Sequence, residues 1–221
     1  DILGEASGDN SGNQVKLSAN GDVIAIGAVN NDGANNNAGH VRVYDWDGSA
    51  WSLRGADING LLMYDNVRGV AMSSDGNIVA VGAELHDAYN HDQGDNRGNV
   101  RVFQWNAGAN AWQQRGQEIE GQFRQMSLGK PNQLELSNNG DVLIVSVRNH
   151  DGWFLDSGRA YVFVWNPDAD RYVRTSGVAE GQAQREYIGV SVAMNADGSV
   201  FAVGGHGSGS SYQGVARVYA H

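Results

Sequence analysis

This chain repeats itself four times, and the repeat narrows the folds open to it. The segments VKLSANGD, VAMSSDGN, LELSNNGD and VAMNADGS are short apolar runs closed by turn dipeptides at Asn20-Gly21, Asp75-Gly76, Asn139-Gly140 and Asp197-Gly198. Each leads into a second run, at 23–27, 78–82, 142–145 and 200–204, rich in the β-branched side chains that suit a pleated strand. Asn-Gly or Asp-Gly between two such runs predicts a hairpin closed by a type I′ turn, in which both central residues hold positive φ. After a loop of variable length comes a third segment, HVRVYDW from His40, NVRVFQW from Asn99, RAYVFVW from Arg159 and VARVYAH from Val215, with an aromatic anchor at Tyr44, Phe103, Phe163 and Tyr219. A fourth segment (AWSLRG, AWQQRG, RYVRTSG) completes the first three units and is missing from the last.

Four antiparallel segments per unit place one small sheet in each of the units 1–57, 58–118, 119–178 and 179–221, a period of roughly 55–60 residues. Their central strands are apolar on both faces and need cover on both sides. Radial stacking supplies that cover and leaves only short edges exposed. The expected fold is all-β, a four-bladed β-propeller forming a single domain over 1–221, with a fourth blade lacking its outer strand. A linear β-solenoid is the alternative, but its rungs are shorter than these units. Composition agrees: 31 glycines against 2 prolines favour tight turns, and 41% hydrophobic residues support a core. A formal charge of -10 repels phosphate backbones and anionic lipid, so no nucleic-acid partner is expected. No apolar run approaches the ~20 residues of a membrane span, so no membrane insertion is expected. There is no cysteine, hence no disulfide or thiolate chemistry. The acidic balance and a first residue, Asp1, that is not methionine lead to the expectation of a processed, secreted, extracellular product.

The repeat resembles the FG-GAP units of integrin α-chain propellers and related repeat proteins. The resemblance is carried best by GVSVAM from Gly189, FAVGG from Phe201 and GVARVY from Gly214, and it extends over essentially the whole chain. It implies a propeller whose loops between second and third strands, with the links between blades, form a ligand-facing rim. Many members carry a calcium loop between the first two strands. The short turns here lack the six or more converging oxygens such an ion needs, so no metal is expected in them.

No nucleophile elbow or phosphate-cradling loop is present: GHGSG from Gly205 lacks the required spacing, and the other Gly-rich stretches lack the Lys-Ser/Thr ending. The suggestive polar feature is the recurrence of His86-Asp87 and His150-Asp151 at one place in successive units, with Asn31-Asp32 in the first and His206 near it in the fourth. These side chains could converge on a metal ion or polar ligand, or the Asp could serve its turn and the His orient the loop. The long loops carry Tyr89, His91, Trp153, Phe154 and Tyr212, and the links carry Tyr64, Phe123, Arg124, Arg185 and Tyr187. Such aromatics and arginines either bind a ligand or fold back as plugs. Trp46, Trp105 and Trp165 on third segments, and Trp51, Trp112 and Tyr172 on fourth, either pack the blades or line sugar pockets; Arg54, Arg115 and Arg174 are in-register frame residues.

The function expected is a noncatalytic recognition module, adhesion-like, displaying loops to a protein, glycan or small-molecule ligand, with no cofactor. Its candidate ligand-binding residues are Tyr64, His86, Asp87, Tyr89, Arg124, His150, Asp151, Trp153, Phe154, Arg185, Tyr187, His206 and Tyr212. The alternatives are a lectin or carrier of an apolar ligand or pigment using the tryptophans, and a hydrolase using loop His and Asp. The bare edge at 215–219, with Val215 and Tyr219 at its ends, is expected to take strand addition from a partner or a second copy.

Overall fold

The computed structural model describes residues 1–87, 94–207 and 213–220. Every described element is a β-strand, and the strands form four antiparallel sheets, one per repeat. These are the blades of a four-bladed β-propeller of all-β class. Two compact units carry two sheets each, Asp1–Pro131 and Asn132–His221.

In the first unit, β1 (Ser11–Leu17), β2 (Val23–Ala28), β3 (His40–Trp46) and β4 (Trp51–Leu53) pair in order, and β5 (Ile58–Asn59) returns to pair with β3. The second sheet repeats this with β6 (Val67–Met72), β7 (Ile78–Ala83), β8 (Asn99–Asn106), β9 (Ala111–Gln114) and β10 (Ile119–Glu120). The fourth strand is thus broken in two, β4 and β5 both lying on β3, and β9 and β10 both on β8. Val23, Ala25, Val41 and Val43 of one sheet meet Val67, Val70, Val79 and Val81 of the next in one apolar layer. All six residues of β7 are buried, which explains why its sequence, IVAVGA, shows no polar alternation.

The second unit holds β11 (Leu134–Leu136), β12 (Val142–Val147), β13 (Arg159–Asn166) and β14 (Arg171–Glu180), then β15 (Ser191–Met194), β16 (Val200–Gly205) and β17 (Val215–Ala220). Here the fourth strand is continuous and absorbs the irregularity as a register shift opposite Tyr161 and Phe163. Val142, Ile144, Ala160 and Val162 pack with Ile188, Phe201 and Val203. The last sheet has three described strands, and β17 pairs only with β16, leaving Val218 70% exposed.

The hairpins depart from the type I′ expectation. Gly21, Gly76, Gly140 and Gly198 have φ of 71–80°, but Asn20, Asp75, Asn139 and Asp197 are not among the left-handed residues. The connections run to five residues, and a side chain at the first position stabilises each. Ser18, Ser73 and Ser137 Oγ accept the buried amides of Val23, Ile78 and Val142 at 2.9 Å, and Asn195 Oδ1 accepts Val200 N–H at 2.9 Å. The Asn or Asp then accepts the amide two residues on in an Asx turn.

The long loops of the first three blades are stitched by backbone bonds to the link that follows each blade. Tyr64, Asn66 and Val67 N–H donate to Asn36, Asn37 and Ala38; Gln125, Ser127 and Leu128 donate to Asp95, Asn96 and Arg97; Arg185, Tyr187 and Ile188 donate to Leu155, Asp156 and Ser157. The first two donors of each set hold left-handed φ, between 50 and 64°. Gly39, Gly98 and Gly158, at φ of 71, 72 and 82°, close the loops in parallel bridges to Val67, Leu128 and Ile188.

Candidate functional site

The second blade builds the most developed polar constellation among the described residues. His86 sits three residues past Ala83, the end of β7, and its backbone is pinned on both sides: its N–H donates to Ala83 C=O at 3.3 Å and its C=O accepts from Gly98 at 3.0 Å. The ring is 6% exposed and Asp65, on the preceding link, 1%. Asp65 Oδ2 accepts the amides of Leu61 and Leu62 at 2.8 and 2.9 Å, which fixes the carboxylate, and Oδ1 lies 3.1 Å from His86 Nδ1. A carboxylate accepts only, so Nδ1 carries the hydrogen, and in the neutral ring Nε2 keeps the lone pair. Nε2 is 3.6 Å from Glu118 Oε1, whose side chain is one quarter exposed. Glu118 also accepts from Asn99, the first residue of β8. Burial alone would lower the imidazole pKa, but the Asp65 hydrogen bond and the charges of Asp65, Glu118 and Glu120 outweigh it and raise His86 above its ordinary 6.5. An imidazole oriented by a buried carboxylate is a proton acceptor at Nε2, and Glu118 steadies the cation formed there.

The other expected residues divide between turn and surface. Asp87 and Asp151, like Asp32, spend one carboxylate oxygen on a loop amide, those of Asn96, Asp156 and Asn37 at 2.6–2.8 Å. His150 occupies the place of His86 in the third blade, buried and edge-on to Tyr161 with ring centroids 6.2 Å apart. Burial first, then the neighbouring Arg159, holds its pKa below the ordinary value. Tyr64, Arg185 and Tyr187 are the left-handed stitching residues of their links, and Arg124 Nε donates to Asp95 at 2.9 Å. His206 stands directly after β16 and stacks near Tyr187, centroids 5.0 Å apart. Trp153, 85% exposed, and Phe154 line an open cleft of about 370 Å³ with Glu180, Gln182 and Tyr219. Tyr89, His91 and Tyr212 lie outside the described residues. The in-register tryptophans meet each other across strands, Trp46 with Trp51 and Trp105 with Trp112 at 5.3 Å, and Trp165 meets Tyr172 at 5.1 Å. Arg54 covers Trp105 at 4.8 Å, so these rings serve packing.

Sequence reasoning missed Asp65 and Glu118, and in the first blade Glu5, His40, Arg42 and Asp57. One signal was available. The third strands begin HVR and NVR, and an acid stands immediately before β5 and β10, at Asp57 and Glu118, so each unit brings its own acid to the start of its third strand.

No family model matches the chain, and no curated protein matches it. Solved structures do match in fold. The "putative 6-phosphogluconolactonase" of Bacteroides uniformis aligns over 93% of this chain and 49% of its own, with 16% identity and a TM-score of 0.59. A Bacteroides fragilis protein of the same description aligns over 87% and 47%, with 13% identity and a TM-score of 0.54. The β-propeller domain of the Trilobed protease from Pyrococcus furiosus, which has an open velcro topology, aligns over 96% and 55%, with 12% identity and a TM-score of 0.51. The chain therefore spans about half the length of these proteins. At such identities the likeness establishes the propeller fold. Two of the proteins sharing the fold are each described as a "putative 6-phosphogluconolactonase", which runs against the expectation of a noncatalytic, adhesion-like recognition module. The physical reason for the error is that repeated strands report the scaffold, whereas chemistry depends on side chains from separate loops.

Proposed function

We propose that this chain is a hydrolase of ester-type bonds, lactones included, with His86 as general base. The observation that carries the reading is the Asp65–His86 pair, an imidazole with its tautomer fixed at 3.1 Å and its second nitrogen turned toward a partly exposed carboxylate. The lactonase descriptions of two proteins sharing the fold support the substrate class. In the proposed reaction His86 Nε2 takes a proton from water as the oxygen bonds to the carbonyl carbon. Glu118 stabilises the imidazolium, and the proton returns to the leaving alkoxide as the carbon–oxygen bond breaks. Asp65 is a positioning residue. The kinship of the repeat to FG-GAP units belongs to the same proposal and rests on the strand pattern quoted above.

The test is turnover of δ-lactones and 4-nitrophenyl esters by the purified chain. The expected result is hydrolysis that rises with pH through the elevated His86 pKa and falls about 10²–10⁴-fold in His86→Gln. Asp65→Asn should lower kcat and shift that pH limb. An absence of turnover, or full activity in a folded His86→Gln protein, overturns the proposal.

A further inference from the structure

The first blade holds a second cluster, built from different residues. His40, the first residue of β3, is 3% exposed, and its Nδ1 has no hydrogen-bond partner. That atom points between two carboxylates, 3.7 Å from Asp57 Oδ2 and 3.9 Å from Glu5 Oε2. The three ligand atoms lie within 4.8 Å of one another. Ligands bound to one ion at ~2.1 Å in tetrahedral geometry stand roughly 3.4 Å apart, so the two spacings from His40 need to contract by only about half an ångström or less.

The surroundings fit a cation as well. Arg42 binds Glu5 Oε1, and its Nε and Nη2 donate to Asp57 Oδ1 and Oδ2 at 2.8 and 2.9 Å. Asn31 Nδ2 donates to Glu5 Oε2 at 3.1 Å and to Asp9 Oδ2 at 2.9 Å. These donors orient the carboxylates as the outer shell of a metal site does. Three carboxylates against one guanidinium leave two negative charges, which a divalent ion would cancel. Glu5, 40% exposed, leaves a path from solvent.

We propose that His40, Glu5 and Asp57 bind a first-row divalent cation of the Zn²⁺ or Mn²⁺ type. One imidazole with two carboxylates favours such an ion over Ca²⁺, which takes oxygen ligands. The second blade does not repeat the site, because Asn99 replaces His40 and Leu61 replaces Glu5 at the matching positions.

The test is calorimetric titration of the full, chelator-treated chain with Zn²⁺ alone, with Co²⁺ absorption as a second readout. The expected result is one Zn²⁺ bound per chain, and binding weakened at least ~10-fold in both His40→Asn and Glu5→Gln. His40→Asn copies the residue that β8 carries there, and Glu5 is exposed enough for its variant to fold. His86→Gln should bind Zn²⁺ as the parent does, which separates this site from the proposed base. An absence of Zn²⁺ binding, or binding unchanged in Glu5→Gln and His40→Asn, overturns the assignment.

Discussion

Replacing Gly98 with alanine tests how the second blade holds its loop against the following link. Gly98 has φ of 72°, and a Cβ placed on it would stand 2.2 Å from Leu128 O and 2.4 Å from Leu128 N. Two costs combine. Holding alanine in the left-handed region costs ~1–2 kcal/mol. Forcing a methyl group into backbone costs a further ~1–3 kcal/mol, because the obstructing atoms belong to a link already bonded to Arg97 and Asn96 and cannot swing aside. The sum is about 2–5 kcal/mol, or a fall in Tm of roughly 4–20 °C for a chain of this size. Gly48 is the internal control: its φ is 97° and a Cβ there meets nothing within 4 Å, so Gly48→Ala carries the conformational cost alone. Urea unfolding of both variants, followed by tryptophan fluorescence, isolates the steric part. Equal destabilisation would refute the argument. Gly98 also donates to His86 C=O, so its variant should lose turnover in the folded state as well.

Two further predictions concern the hairpins and pH. Ser73→Ala leaves the buried Ile78 amide without its Oγ acceptor and should cost about 1–3 kcal/mol in urea unfolding, whereas Ser73→Asn, copying Asn195 in the fourth blade, should cost much less. His86 keeps its proton in the folded state to higher pH than in the unfolded chain, so its contribution to stability is complete below pH 6.5 and is lost as pH rises through the elevated folded value. His150 works in the opposite sense, because its lowered pKa withdraws stability as pH falls below 6.5. Thermal unfolding across pH 5–9 should therefore show a flatter alkaline limb in His86→Gln and a flatter acidic limb in His150→Gln.

The repeat was readable because strand patterning is local: alternating or continuous apolar runs closed by Asx-Gly turns require nothing from distant residues. The turn type was misread because the first residue of the connection, Ser18, Ser73 or Ser137, changes the geometry through a side-chain bond that a dipeptide rule ignores. The His-Asp positions were visible, and so was the turn role of their Asp; the partner of the ring was not. Asp87 follows His86 in sequence yet serves the Asn96 amide, while the carboxylate that orients the ring comes from Asp65, 21 residues earlier. Glu118 arrives from still farther along the chain. His40 shows in sequence only as the start of a strand, because Asp57 meets it only once β5 folds back onto β3 and Glu5 comes from the segment ahead of β1.

The stitches between long loops and links use main-chain atoms only, and the same three-bond pattern recurs whatever side chains stand there. The architecture is thus indifferent to the chemistry mounted on it. Asp65 and Glu186 cap the same bend of their links, and at the matching place of another link Met126 offers only a sulfur to the Gln122 amide, without loss of the stitch. Each unit can therefore acquire or discard a reactive group independently of its siblings, as a rack accepts different instruments in identical slots. A chain with four copies of one frame can carry a base in one slot and a cation in another.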